Sequence, residues 1–415
     1  MSEQQNTEGL LSGYRVLELA DEKGVYCGKL LADLGADVIK IEPPGGDKAR
    51  FRGPFYHNEA DPEKSLYFLH FNTNKRSITL DIEPEVGQAV FRDLVKTADA
   101  LIETYPPGYL KRLGLDYESL REINPKLVMC SITPFGQTGP HRHFKSTDLV
   151  NMAVGFLSYQ TGEPGRAPLR WGAEQSCHIS CEYAAIGLMY ALYHRAATGE
   201  GQHVDISIQE CLYPITGEMA VPHTWYVEHM DVTRMGTRSF TRVPWGTYPC
   251  KGGQVAFAIL EAPQWDALAQ WIHEVTGEKE LLDDMYKGRY VQRAPYRELV
   301  EHYLIKFTMR LTNIELMTEG QRRGIPVFAV QNAEELVNCP QLAALSFFVE
   351  AEHPAVGKLK YPGAPYRIRE APWRLRRTAP RLGEHNEEVY KGELGYSEGR
   401  LASLRSAGII WRGGW

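Results

Sequence analysis

Over the first 210 residues, short apolar and β-branched runs alternate with stretches of helical spacing, and this alternation limits the possible folds more than any other feature. Residues 14–20 (YRVLELA) read as a strand, 26–34 as a helix and 36–41 (ADVIKI) as a second strand. Residues 76–82 (RSITLDI) give a third strand, and 83–98 carry Val86, Val90, Phe91 and Leu94 at helical spacing. Further strands are predicted at 100–103, 127–132 and 204–208. Strands that alternate with helices pair in parallel, because the crossover helix returns the chain to the same end of the sheet. The expected fold is therefore α/β, with a doubly wound parallel sheet. No G-x-G-x-x-G follows the first strand, and the Pro-Pro-Gly-Gly at 43–46 opens a loop after the second. The phosphate cradle of a nicotinamide or flavin site is missing.

The remainder of the chain divides by composition. Residues 174–195 form a long apolar helix, and after Gly217 aromatic, proline and basic residues mix through 225–249. A strand at 254–259, helices up to about 324 and a strand at 325–330 follow. Then come a Pro-rich extended segment at 361–380 and a last helix at 397–406. We expect a large domain over 1–220, a small domain over 221–330, and a segment over 331–415 that returns to the large domain. The net charge of −6, with no block of clustered cations, argues against a nucleic-acid surface. No apolar run approaches the roughly 18 residues that a membrane span needs. The first residues lack a basic region ahead of an apolar stretch, so no cleaved signal is expected. Seven scattered cysteines read as reduced thiols of a cytoplasmic protein.

Several blocks resemble the family III CoA-transferases, the group that includes formyl-CoA:oxalate and carnitine CoA-transferases and the 2-methylacyl-CoA racemases. They are LADLGADVIKIEPPGGDKAR (31–50), LYFLHFNTNKRSITLDI (66–82), ETYPPGYLKRLGLDY (103–117) and NPKLVMCSITPFGQTGP (124–140). ATGEGQHVDISI (197–208) and LGEHNEEVYKGELGYS (382–397) complete the set. The resemblance implies a Rossmann-like large domain built from both chain ends, a small domain between them, and an interlocked dimer. It also implies coenzyme A or an acyl-CoA as substrate, with no permanently bound cofactor and no metal. CoA carries phosphates and an adenine, so its site needs cations, backbone N–H groups and an aromatic or apolar wall. By the same resemblance Lys75, Thr104, Tyr105, Arg112 and Lys145 are CoA contacts. The plainer alternative for each is a solvated cation or a core side chain.

One departure from the family outweighs the others. The resemblance places a catalytic aspartate at the start of the long helix after a P-x-x-x-G segment, and here that position is Cys177. The aspartate attacks an acyl-CoA to give a mixed anhydride and thiolate, and the thiolate then forms an aspartyl-CoA thioester. A thiol has no carbonyl on which to carry CoA. Glu174 lies one turn before Cys177 and Glu182 five residues after it, both displaced from the required position. The racemase branch pairs that aspartate with a histidine near 147, where this chain has Thr147 followed by Asp148. Cys177-His178-x-x-Cys181 lacks the second Cys/His pair of a zinc site and reads as small buried thiols. Cys177 and His178, adjacent on a helix, do not face each other. Gly24-Val25 and Pro106-Pro107-Gly108 also depart from the family pattern near the nucleotide site.

The leading expectation is a non-catalytic subunit that pairs with a homologous catalytic CoA-transferase chain. Alternatives are a thioesterase, acyltransferase or lyase using Cys177 or Glu174, and a CoA-binding regulator. Trp225, Tyr226, Phe240, Trp245 and Tyr248 line either an aromatic acyl pocket or the small-domain core.

Overall fold

The computed structural model describes residues 9–216 and 224–411. Its main feature is a six-stranded parallel sheet of β1 (Arg15–Leu19), β2 (Asp37–Glu42), β3 (Arg76–Thr79), β4 (Ala100–Glu103), β5 (Val128–Thr133) and β6 (His203–Ser207). The spatial order β3-β2-β1-β4-β5-β6 is that of a doubly wound nucleotide-binding sheet. Apart from the buried charges Glu18, Lys40, Glu42 and Glu103 toward their carboxyl ends, the central strands are apolar on both faces, as burial between two helical layers requires. On one face Leu17, Ile39, Ile78 and Leu101 pack on α3 (Glu85–Val95) through Val90, Phe91 and Leu94. On the other, Val16, Val38, Ile102 and Cys130 meet α1 (Val25–Asp33) and the long α8 (Gln175–Thr198). Between α3 and α8 lie α4 (Tyr109–Arg112), α5 (Tyr117–Arg121), α6 (Asp148–Val154) and α7 (Leu157–Gln160). α2 (Leu66–Phe71) precedes β3.

β3 is an edge strand, and the returning C-terminal segment covers it. The Thr79 N–H donates to Asn386 Oδ1, the His385 N–H to the Ser77 carbonyl and the Tyr390 hydroxyl to the Thr79 carbonyl. A hairpin of β10 (Phe348–His353) and β11 (Gly357–Pro362) belongs to the same unit.

Compact unit one comprises residues 1–156, 171–220 and 342–415, and unit two comprises 157–170 and 221–341. The composition break places 157–170 in the large domain and ends the small one at 330. Contacts distant in sequence explain the difference. The Arg234 guanidinium donates to the Tyr159 carbonyl at 2.9 Å, and the Tyr159 hydroxyl meets Asp231. The expected boundary at 220–221 lies outside the described residues.

Unit two is built on an antiparallel sheet of β7 (Trp245–Cys250), β8 (Gly253–Ala258) and β9 (Val327–Ala329). The helices Ala262–Thr276 and Arg297–Thr308 cover it through Trp265, Trp271, Leu304 and Phe307. Tyr248 is fully buried in that core, whereas Trp225 and Tyr226 are exposed.

Candidate functional site

In a doubly wound sheet, ligands bind beyond the strand carboxyl ends where the strand order reverses, here between β1 and β4. At that point the loop 20–24 approaches the end of β4. The Asp21 N–H donates to Thr104 Oγ1 at 3.0 Å. A Cβ on Gly24 would stand 2.7 Å from Thr104 Cγ2, so a residue without a side chain is needed there. The Cys181 thiol on α8 donates to the Lys23 carbonyl at 3.2 Å.

A buried ionic cluster fixes the loop from beneath. Glu18 on β1 is bridged by Lys75 (2.7 Å) and Lys40 (3.3 Å), and all three side chains are at most 1% exposed. Lys75 uses its three N–H donors on Glu18 Oε2, the Val25 carbonyl and Asn72 Oδ1. Lys40 donates to the Ala20 carbonyl at 2.9 Å and pairs with Asp47 at 3.0 Å. The two lysines thus hold both ends of the β1–α1 connection. A Cβ on Gly28 would fall 1.6 Å from Glu18 Oε2, so that glycine gives the carboxylate its room. Burial pulls Lys75 down to about 8, with Lys40 adding to the effect against Glu18. Burial also disfavours charge on Lys40, but Asp47, Glu18 and Glu42 outweigh it and hold the ammonium above its usual range.

The residues expected to contact CoA therefore separate. Lys75 faces inward and is fully engaged. Thr104 is buried and anchors the loop. Tyr105 stacks on Tyr109 with centroids 4.4 Å apart and planes at 16°. The exposed Arg112 lies 5.2 Å from the Tyr109 ring and 3.4 Å from Glu83. Tyr105, Tyr109 and Arg112 together form an aromatic surface with an adjacent cation, the chemistry that an adenine and a phosphate need. Lys145 is exposed on the segment leading to α6.

At the start of α8 the structure is capped from outside. Asp148, the first residue of α6, accepts from the Ser176 N–H at 2.9 Å and from Ser176 Oγ at 2.7 Å through Oδ1. A carboxylate there satisfies a free helix donor and complements the positive helix end. Cys177 follows, 2% exposed. Burial pushes its thiol far above the ordinary range, and Cys181, Glu174 and Asp148 raise it further. A neutral buried thiol at neutral pH is a poor nucleophile. His178 turns to the rings of Tyr26 and Phe71, at 5.6 and 5.4 Å, and burial lowers its pKa.

Glu174 precedes the helix and is held by residues that sequence reasoning missed. Arg52 Nη1 lies 2.6 Å from its Oε1, and the Tyr67 hydroxyl donates to Oε2 at 3.1 Å. The Arg52 guanidinium stands 4.2 Å above the Tyr67 ring. Tyr67 falls inside a family-like sequence block and Arg52 just beyond another. An arginine two residues past such a block was the available signal.

Fold and site define a doubly wound α/β protein with a strand-order reversal between β1 and β4 and an acid-lined start of α8. The CoA-transferase family III model matches residues 11–386, and the chain belongs to that family. It is 34% identical over 415 residues to the succinyl-CoA:(R)-benzylsuccinate CoA-transferase subunit BbsE of Thauera aromatica, covering 96% of this chain and 98% of that one. It is 33% identical over 400 residues to a succinate–glutarate CoA-transferase of Agrobacterium fabrum, covering 94% and 97%. Among solved structures, a CAIB/BAIF family protein from Brucella suis superposes with a TM-score of 0.81 at 30% identity, covering 93% of this chain and 100% of that one.

Proposed function

We propose that this chain is the non-catalytic subunit of a heteromeric family III CoA-transferase, interlocked with a homologous chain that carries the nucleophilic aspartate. The observation that carries this reading is Cys177, a buried thiol that, by the resemblance to the family, stands where the mechanism needs a carboxylate. The thiol's raised pKa also weighs against a thioesterase or acyltransferase built on sulfur. Glu174 is no ready substitute, because it lies one helical turn before the position of Cys177, displaced from where the mechanism needs a carboxylate. Meanwhile Lys75, Lys40 and Thr104 all anchor the loop around the switch point, which suits a subunit that serves as scaffold.

The similarity to BbsE supports a complex that moves CoA between succinate and an aromatic dicarboxylic acid such as benzylsuccinate. A partner surface is available on α8, where Tyr190 and Tyr193 are 73% and 81% exposed and Tyr183 and Ile186 continue the stripe. Expressing the chain alone and together with a homologue bearing aspartate at the position of Cys177 tests the reading. A mixed complex by mass, and transferase activity only in the co-expressed sample, are expected. A fully active homodimer would refute it.

A further inference from the structure

The Arg52–Tyr67–Glu174 cluster differs from the structural ion pairs around it. Arg50, two residues earlier, is fully buried and holds Glu42 with both Nε and Nη2, at 2.6 and 2.8 Å. Arg52, in contrast, leaves 41% of its side chain exposed, and its partner Glu174 leaves 18%. Glu174 sits at the N-cap position of α8 yet makes no capping bond to that helix, because Asp148 supplies the cap. Letting Glu174 go therefore costs α8 no hydrogen bond. The backbone there is already non-helical, with Ala173 at φ +59° and Glu174 at φ −108°, ψ 61°.

What remains when Glu174 swings away is an arginine fork stacked on a tyrosine whose hydroxyl points at the same spot. This is a donor set suited to a carboxylate. We propose that Arg52 and Tyr67 form a receptor for the carboxylate of an acid ligand, and that Glu174 fills it as a tethered substitute until the ligand displaces it. Displacement rather than addition is required, because Glu22 also faces this cluster. Burial, Asp21 and Glu174 already raise its pKa, so a further uncompensated carboxylate would be repelled. The inference rests on reading the start of α8 as the former acyl-transfer site, and it assigns that site its ligand class. The ligand carboxylate comes either from a free dicarboxylic acid or from the far end of a dicarboxylic acyl-CoA.

Calorimetric titration of the full chain with succinate, succinyl-CoA and acetyl-CoA, in wild type, Glu174→Gln and Arg52→Gln, tests the proposal. Removing the internal competitor in Glu174→Gln should tighten carboxylate binding about tenfold, and Arg52→Gln should weaken it by a similar factor. A gain for succinate identifies the free acid as the ligand. A gain for succinyl-CoA alone, with acetyl-CoA unchanged, identifies the acyl-CoA carboxylate. Either gain supports the receptor, because a merely structural ion pair would give none. If acetyl-CoA binds all three proteins alike while both succinyl ligands ignore both substitutions, the receptor is refuted and the CoA site stands. If no CoA thioester binds any of them, the reading of the site itself fails, and a succinate response on its own still upholds the receptor.

Discussion

The floor beneath the β1–α1 loop and the start of α8 belong to one compact unit, yet they are built on different terms. In the floor, Glu18, Lys40 and Lys75 are shielded from solvent, and the three donors of Lys75 are all spent. At α8, Asp148 Oδ2 and His178 Nε2 are buried without a hydrogen-bond partner among the described residues. Arg52 there stays two-fifths exposed. A satisfied buried network fixes one geometry, whereas unsatisfied and exposed polar groups are where ligands or changed chemistry are accommodated. The contrast teaches that the β1–α1 loop rests on a closed, fully satisfied network, while the start of α8 keeps polar groups open to solvent or without partners.

Breaking the floor should have the largest effect. Lys75→Met leaves a buried carboxylate short of one partner and should cost about 3 kcal/mol in urea unfolding. Combining it with Glu18→Gln should recover much of that loss, which a double-mutant cycle measures as coupling. Additive losses would mean that the pair does not act as a unit.

A smaller effect is expected at Glu103, which burial raises to about 7. Its folded value lies above the unfolded one near 4.5, so between those values the folded chain holds more protons and stability falls as pH rises. Glu103→Gln should remove that decline between pH 4.5 and 7 and stabilise the protein at pH 8 by about 2 kcal/mol. An unchanged pH profile of the melting temperature would count against the burial that the structure gives this carboxyl.

Asp148→Asn should lower stability by about 1 kcal/mol through the weakened cap of α8. Far-UV melting reads this, and a loss above about 3 kcal/mol would show that Asp148 does more than cap the helix. The smallest effect belongs to Cys177→Ala, which should leave the transferase rate of the assembled complex within about twofold of wild type, a free-energy difference well below 1 kcal/mol.

Much of the sheet was legible because strand period, helix period and length report on backbone and burial together. The predicted strands at 14–20, 36–41 and 100–103 coincide with β1, β2 and β4 to within a residue or two. Cys177 was legible because its neighbours match the family in order. Lys75 was not, since a lysine ahead of a strand reads equally as a surface cation. Its direction is set by Glu18, 57 residues earlier. The Tyr67–Glu174 bond spans 107 residues and leaves no local signature. β7 escaped because Trp, Gly and Pro within Trp245–Cys250 hide the alternation that pairing with β8 reveals.

The most direct test is a thioester-exchange assay on this polypeptide purified without any partner, using succinyl-CoA as donor and an aromatic dicarboxylate as acceptor. If the proposed role is right, product should not rise above the uncatalysed background, because the buried Cys177 thiol, which burial pushes well above its ordinary range, offers no carboxylate to carry CoA. Turnover at an ordinary enzymatic rate, abolished by Cys177→Ala or Glu174→Gln, would contradict the account.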